Sequence, residues 1–110
     1  MNRKERKAAI RQLVWSKIKN GDWLLFEDLD LDKPSTKRGR AFLRALGREG
    51  RVLVLLAGDE RFEMVRRSLR NLPEVKILPP ERLNTFDLLN IPTVLAHREA
   101  FETVRTTWGV

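Results

Sequence analysis

Four carboxylates crowd one short stretch of the 110-residue chain: Glu27, Asp28, Asp30 and Asp32. Clustered carboxylates at the end of a parallel strand are how several phosphoryl-transfer folds hold magnesium, so this stretch is the first chemistry to weigh. Such a site draws carboxylates from more than one strand end, and Asp59 and Glu60 are the only other candidates. A solvated acidic loop is therefore the favoured reading. The chain has no Cys and no Tyr, and His97 is its single histidine. A thiol nucleophile, a disulfide framework and a cysteine zinc cluster are thereby excluded, and His97 alone cannot build a zinc site. His97 stands at the start of the last expected helix, where a cap or surface role is anticipated. A dinucleotide site needs several glycines at the first strand-to-helix turn, but Gly-x-Gly-x-x-Gly does not occur, nor does a phosphate loop ending in Gly-Lys-Ser or Gly-Lys-Thr. No catalytic residue, metal ligand or cofactor is assigned.

The dominant charges are positive. Lys and Arg number 22 against 15 Asp and Glu, for a formal net charge of +7. This balance points to a polyanionic partner, nucleic acid first and a membrane surface second. The opening carries Arg3, Lys4, Arg6, Lys7, Arg11, Lys17 and Lys19 with Glu5 as its one acid. With no acidic partners four residues on to relieve it, this cluster favours phosphate contact over a merely solvated helix face. Lys37, Arg38, Arg40 and Arg44, continued by Arg48 and Arg51, form a second cluster, and Arg66, Arg67 and Arg70 a third. Trp15, Trp23 and Trp108 have rings that can stack on bases, but apolar packing is their expected use.

The elements that must position these residues follow from pattern. Asn2 with Glu5 three residues on resembles a capping box and opens a helix that closes at Asn20-Gly21, with Ile10, Leu13, Val14 and Ile18 as its buried stripe. Residues 23–26 read as a first strand. Pro34 ends the acidic loop, and Ser35 or Thr36 caps a second helix whose stripe is Phe42, Ala45 and Leu46, with Gly47 as the stop. Residues 52–57 are apolar without alternation, which suits a strand covered on both faces. After Gly58-Asp59-Glu60 comes a third helix with Phe62, Val65, Leu69 and Leu72 inward and Glu63, Arg66, Arg67 and Arg70 outward, ending at Asn71-Leu72-Pro73. Residues 75–78 form a short strand that Pro79-Pro80 stops. Asn84 and Asp87 suggest a capped helical turn over 85–89. A fourth strand over 93–96 and a helix over 98–107 close the chain, with Ala100, Phe101 and Val104 inward and Trp108 near the end. Strands alternating with helices predict a single domain over 1–110, an α/β fold of three α/β/α layers with a parallel sheet. No apolar run approaches the roughly 18 residues of a membrane span, so no membrane partner is expected.

The opening MNRKERKAAIRQ, the segment Asp32-Lys33-Pro34-Ser35-Thr36-Lys37, the run Ser68-Leu69-Arg70-Asn71-Leu72-Pro73 and the run Leu83-Asn84-Thr85-Phe86-Asp87-Leu88-Leu89 together resemble the C-terminal part of the bacterial and organellar large-subunit ribosomal protein L-four family. The likeness covers essentially the whole chain in order. It implies a four-stranded parallel sheet of strand order 1-4-2-3, and a structural, non-catalytic protein that binds large-subunit rRNA, supports its assembly and sits beside other large-subunit proteins, with no small-molecule substrate. The implied location is the ribosome, in a bacterial cytoplasm or an organelle matrix. Carried over by position, the implied RNA contacts are Asn2, Arg3, Lys4, Arg6, Lys7, Thr36, Lys37, Arg70, Asn71 and Asn84; Arg11, Arg38, Arg66 and Arg67 join them from the charge clusters. Family members carry about as much chain again before this opening, including a basic loop toward the peptide exit tunnel, so no tunnel role is expected of these residues. The competing expectation is a small magnesium-dependent phosphoryl-transfer or nucleolytic domain using residues 27–32. A third is a protein-interaction module whose acidic loop receives a basic partner.

Overall fold

A computed structural model describes residues 2–27 and 33–110. Four strands make one parallel sheet in the order β1-β4-β2-β3: β1 Trp23–Phe26, β2 Val52–Leu55, β3 Val75–Leu78 and β4 Thr93–His97. Parallel neighbours need crossovers, and these are supplied by α2 Thr36–Ala45, α3 Glu63–Leu69 and α4 Thr85–Asn90, with α1 Arg3–Lys19 leading in and α5 Arg98–Trp108 closing. In register, Val52 lies opposite both Thr93 and Val75, and Trp23 opposite Val94. The two central strands are buried along their whole length, which is why β2 reads as an unbroken apolar run.

Alternate strand residues feed two cores. Trp23, Leu53, Leu55, Val94 and Ala96 meet Ile10 and Val14 of α1, Leu88 of α4, and Ala100, Val104 and Trp108 of α5. Phe26, Val52, Val54, Leu56 and Leu95 meet Leu43 of α2 and Val65 and Leu69 of α3. Layer one is thus α1, α4 and α5; layer three is α2 and α3. The period-two pleat sorts the apolar side chains between them.

Several boundaries and one face differ from the sequence expectation. In α2 the buried residues are Gly39 and Leu43, while Ala45 is exposed. Close approach to α3 is the cause: a Cβ on Gly39 would lie 2.5 Å from the Ser68 carbonyl oxygen, so the helix turns its glycine inward. The β2 ladder stops at Leu55, and a 3-10 turn, Glu60–Phe62, precedes α3. That helix ends at Leu69 with Arg70 as its cap, before the Asn71-Leu72-Pro73 stop, because the Leu72 N–H turns back to the Leu69 carbonyl at 3.0 Å. Further corrections are small: β4 runs on to His97, α4 to Asn90, and a 3-10 turn, Pro80–Arg82, follows β3.

Candidate nucleic-acid interface

Helix α1 begins where the Asn2 side chain accepts the Glu5 backbone N–H at 2.9 Å. Every residue from Asn2 to Lys7 is exposed, and Ile10 is the first that the core covers. The first turns therefore stand in solvent on all sides, carrying Arg3, Lys4, Arg6 and Lys7, with Arg11 exposed one turn on. None of these five side chains makes an ion pair or side-chain hydrogen bond with a described residue. Cations at a helix N-terminus oppose the backbone dipole, each costing about 0.3–1 kcal/mol at low ionic strength. Their placement harms the helix and suits an external anion. Lys17 behaves differently: half-buried, its Nζ donates to the Ile91 and Pro92 carbonyls at 2.9 and 3.1 Å, and burial lowers its pKa, partly opposed by Asp22. It ties α1 to the start of β4 and leaves the cationic rod.

The second and third clusters share the opposite layer. Ser35, not Thr36, is the cap of α2; its side chain accepts the Arg38 N–H at 3.2 Å, and its own N–H donates to Ser68 Oγ at 2.9 Å. Ser68 Oγ in turn donates to the Met64 carbonyl at 2.8 Å. This junction seats the N-terminus of α2 on α3 and leaves Thr36, Lys37 and Arg38 exposed beside Arg67, Arg70 and Asn71 in the same layer. Not every cation expected on the surface is available. Arg40 pairs with Glu74 at 3.2 Å, and Arg48 with Asp22 at 2.9 Å and the Gly21 carbonyl. Arg66, expected to point outward, instead folds back: Nη1 donates to Glu63 at 2.6 Å and Nη2 to the Ala57 carbonyl at 2.9 Å. A long side chain can lie along the surface whatever its helical angle. Asn84 accepts the Asp87 N–H at 2.8 Å and donates to the Asp87 carboxylate and the Arg82 carbonyl, so its amide is engaged in the cap of α4.

In doubly wound sheets, ligands sit beyond the strand ends where successive helices leave to opposite faces. Here that place lies between β2 and β4, where an open pocket of about 380 Å³ is lined by Glu27, Arg61, His97, Arg98 and Glu99. The Phe62 and His97 rings pack at 4.5 Å between centroids, and Arg61 bridges Asp59 at 3.1 Å and Glu99 at 3.2 Å. The backbone and side-chain hydrogen bonds from Arg61 hold the Asp59 carboxyl below its usual range. His97 is buried and caps α5, its Nδ1 accepting the Glu99 N–H at 3.2 Å; a cap or surface role was anticipated, and the structure gives a cap but buries it. Of the acidic stretch, Glu27 pairs with Arg98, and Asp28, Asp30 and Asp32 lie outside the described residues. Among the described residues no group of three or more His, Asp and Glu could hold a metal ion. Of the tryptophans, Trp23 and Trp108 pack in the core, Trp108 Nε1 donating to the Pro80 carbonyl at 3.1 Å, whereas Trp15 is exposed. No described helix is long and apolar enough to cross a membrane.

Compared with known proteins, residues 1–107 match the Ribosomal protein L4/L1 family. The chain belongs to that family. Curated relatives named large ribosomal subunit protein uL4 agree with this L4/L1 membership. Identity is 38% over 101 residues with that of Rubrobacter xylanophilus, covering 92% of this chain and 47% of the relative. It is 32% over 109 residues with that of Prochlorococcus marinus, covering 99% and 52%. With that of a Synechococcus strain it is 39% over 114 residues, covering 99% and 34%. The L4-type chain thus spans a third to about half the length of these relatives, their C-terminal part. The family is one of ribosomal proteins and not of enzymes. Within the L4-type fold, sequence reasoning missed Gly39 and the seat it makes with Ser68, since their contact joins residues far apart in the chain. It also missed Arg61, whose signal was available as an arginine two residues after a turn aspartate.

Proposed function

We propose that this L4-family chain is a structural constituent of the large ribosomal subunit that binds large-subunit rRNA through phosphate contacts and supports its assembly, beside neighbouring large-subunit proteins. One observation carries the reading: the first turns of α1 hold four cations in solvent, at the helix end where they cost stability, with no described partner. Family membership and the relatives' names support the kind of particle; the location that goes with this reading is the ribosome of a bacterial cytoplasm or organelle matrix. Arg3, Lys4, Arg6, Lys7 and Arg11 make the principal patch; Lys37, Arg38, Arg67, Arg70 and Asn71 make a second on the opposite layer. With about six to ten phosphates neutralised, affinity for rRNA falls by roughly 10³–10⁵ between 50 and 200 mM salt. A titration at both salt concentrations tests this, and binding that hardly responds to salt contradicts it.

A further inference from the structure

The edge strand β3 is only half covered: all four residues are half-buried, whereas β2 and β4 are buried throughout. On the α2–α3 side this leaves an open groove of about 350 Å³ between α3 and β3, at the small end of the roughly 300–1,000 Å³ typical of small-ligand sites. Val75, Ile77 and Pro79 give it an apolar floor. Its wall is made by Arg66 of α3 and by Arg70, the cap of that helix, one turn on. The bonds to Glu63 and Ala57 fix the Arg66 guanidinium in place, and a guanidinium so held is a platform on which a base can stack. Arg70 is exposed and makes no ion pair or side-chain hydrogen bond with a described residue, so its charge is open to a phosphate. At the exit of β2, Gly58 leaves the groove open, for a Cβ there would meet nothing within 4 Å.

We propose that this groove receives one unstacked nucleotide of single-stranded RNA, its base on the apolar floor against Arg66 and its phosphate on Arg70. The inference rests on the RNA-binding reading above and adds to it a site that engages a base, where α1 engages phosphate alone. The cations on the wall and the net charge of +7 favour an anionic nucleotide over a protein strand added to the β3 edge.

Gly58→Phe tests the site, because it fills the groove without changing charge, at a glycine whose backbone is outside the left-handed region. Affinities of the full chain and the variant are compared for a short single-stranded RNA and a duplex RNA of equal phosphate number. Single-strand affinity falls by about 5- to 150-fold, the effect of one stacked base, while duplex affinity stays the same. The Val75 and Ile77 methyl resonances shift with the single strand and not with the duplex. Ile77→Ser, which strips the floor at an edge position, gives the same selective loss should Gly58→Phe fail to fold. Equal loss for both RNAs, no loss for either, or unmoved methyl resonances overturns the groove alone. A chain that binds neither RNA overturns the RNA-binding reading itself, and the groove with it.

Discussion

Arg66 and Arg67 are neighbours in the chain, but only Arg66 also holds the fold. Arg67 is exposed, while Arg66 covers the exit of β2 through its bond to the Ala57 carbonyl. Arg67→Glu and Arg70→Glu are expected to leave the thermal melt nearly unchanged and to weaken RNA binding. Arg66→Glu lowers stability by about 1–3 kcal/mol, because a part-buried carbonyl loses its donor and a second carboxylate meets Glu63; melting curves of the three variants distinguish the roles. The sequence period placed both arginines on the outer side of α3, and for Arg67 that suffices. It reports an angle around the axis and not where a long side chain lies down. Asp87 teaches the same lesson. Its local role beside Asn84 was legible, but its 2.9 Å ion pair with Lys76 comes from β3 and was not. Burial alone would raise the Asp87 pKa; the Lys76 ammonium and the Asn84 amide outweigh it and bring the value below the ordinary one. The stabilisation is then complete above the ordinary aspartate value of about 3.9 and is lost as pH falls through the lower folded value. The stability difference between the wild type and Asp87→Asn should be constant above about pH 5 and shrink below about pH 4. A difference independent of pH would remove this account of Asp87.

Among the elements, α1 sets function against stability. Its cap and its last turn, with Lys17 and Lys19 near the C-terminus, follow the rules for a stable helix, and the cationic first turns break them. Lys4→Glu combined with Lys7→Glu is therefore expected to raise or hold the melting temperature while weakening RNA binding; a drop in both would make these lysines structural. Helix starts were readable because caps are local: Asn2, Ser35 and Asn84 each accept a backbone N–H three residues ahead. The inner face of α2 was readable in part. Phe42 and Leu46 of the expected stripe pack against the core, but Ala45 is exposed and Gly39 approaches Ser68, and a glycine carries no hydropathy signal for such a contact. β2 was the clearest element, since its unbroken apolar run is what two covered faces demand.

At the scale of the molecule, the sheet divides the cations. The α1 patch and the α2–α3 patch lie in opposite layers, so RNA engaging both must contact two sides of the domain. The alternation of elements conveyed the α/β class, while strand order rested on the family resemblance, because pairing between distant segments leaves little local trace. The crevice between β2 and β4 keeps an open pocket of about 380 Å³, but an arginine bridge and a packed ring pair stand beside it in place of the glycine-rich turn that doubly wound nucleotide sites use, in accord with the single Gly58. What distinguishes the molecule electrostatically is then the cationic start of α1. The most direct measurement is the salt dependence of rRNA affinity for the wild type and for the variant with Arg3, Lys4, Arg6 and Lys7 all changed to Gln. Each phosphate that the variant no longer neutralises takes about 0.7–0.9 from the slope of log affinity against log salt, so the slope should become shallower by about 3 to 4. An unchanged slope would contradict the claim that α1 holds the phosphates.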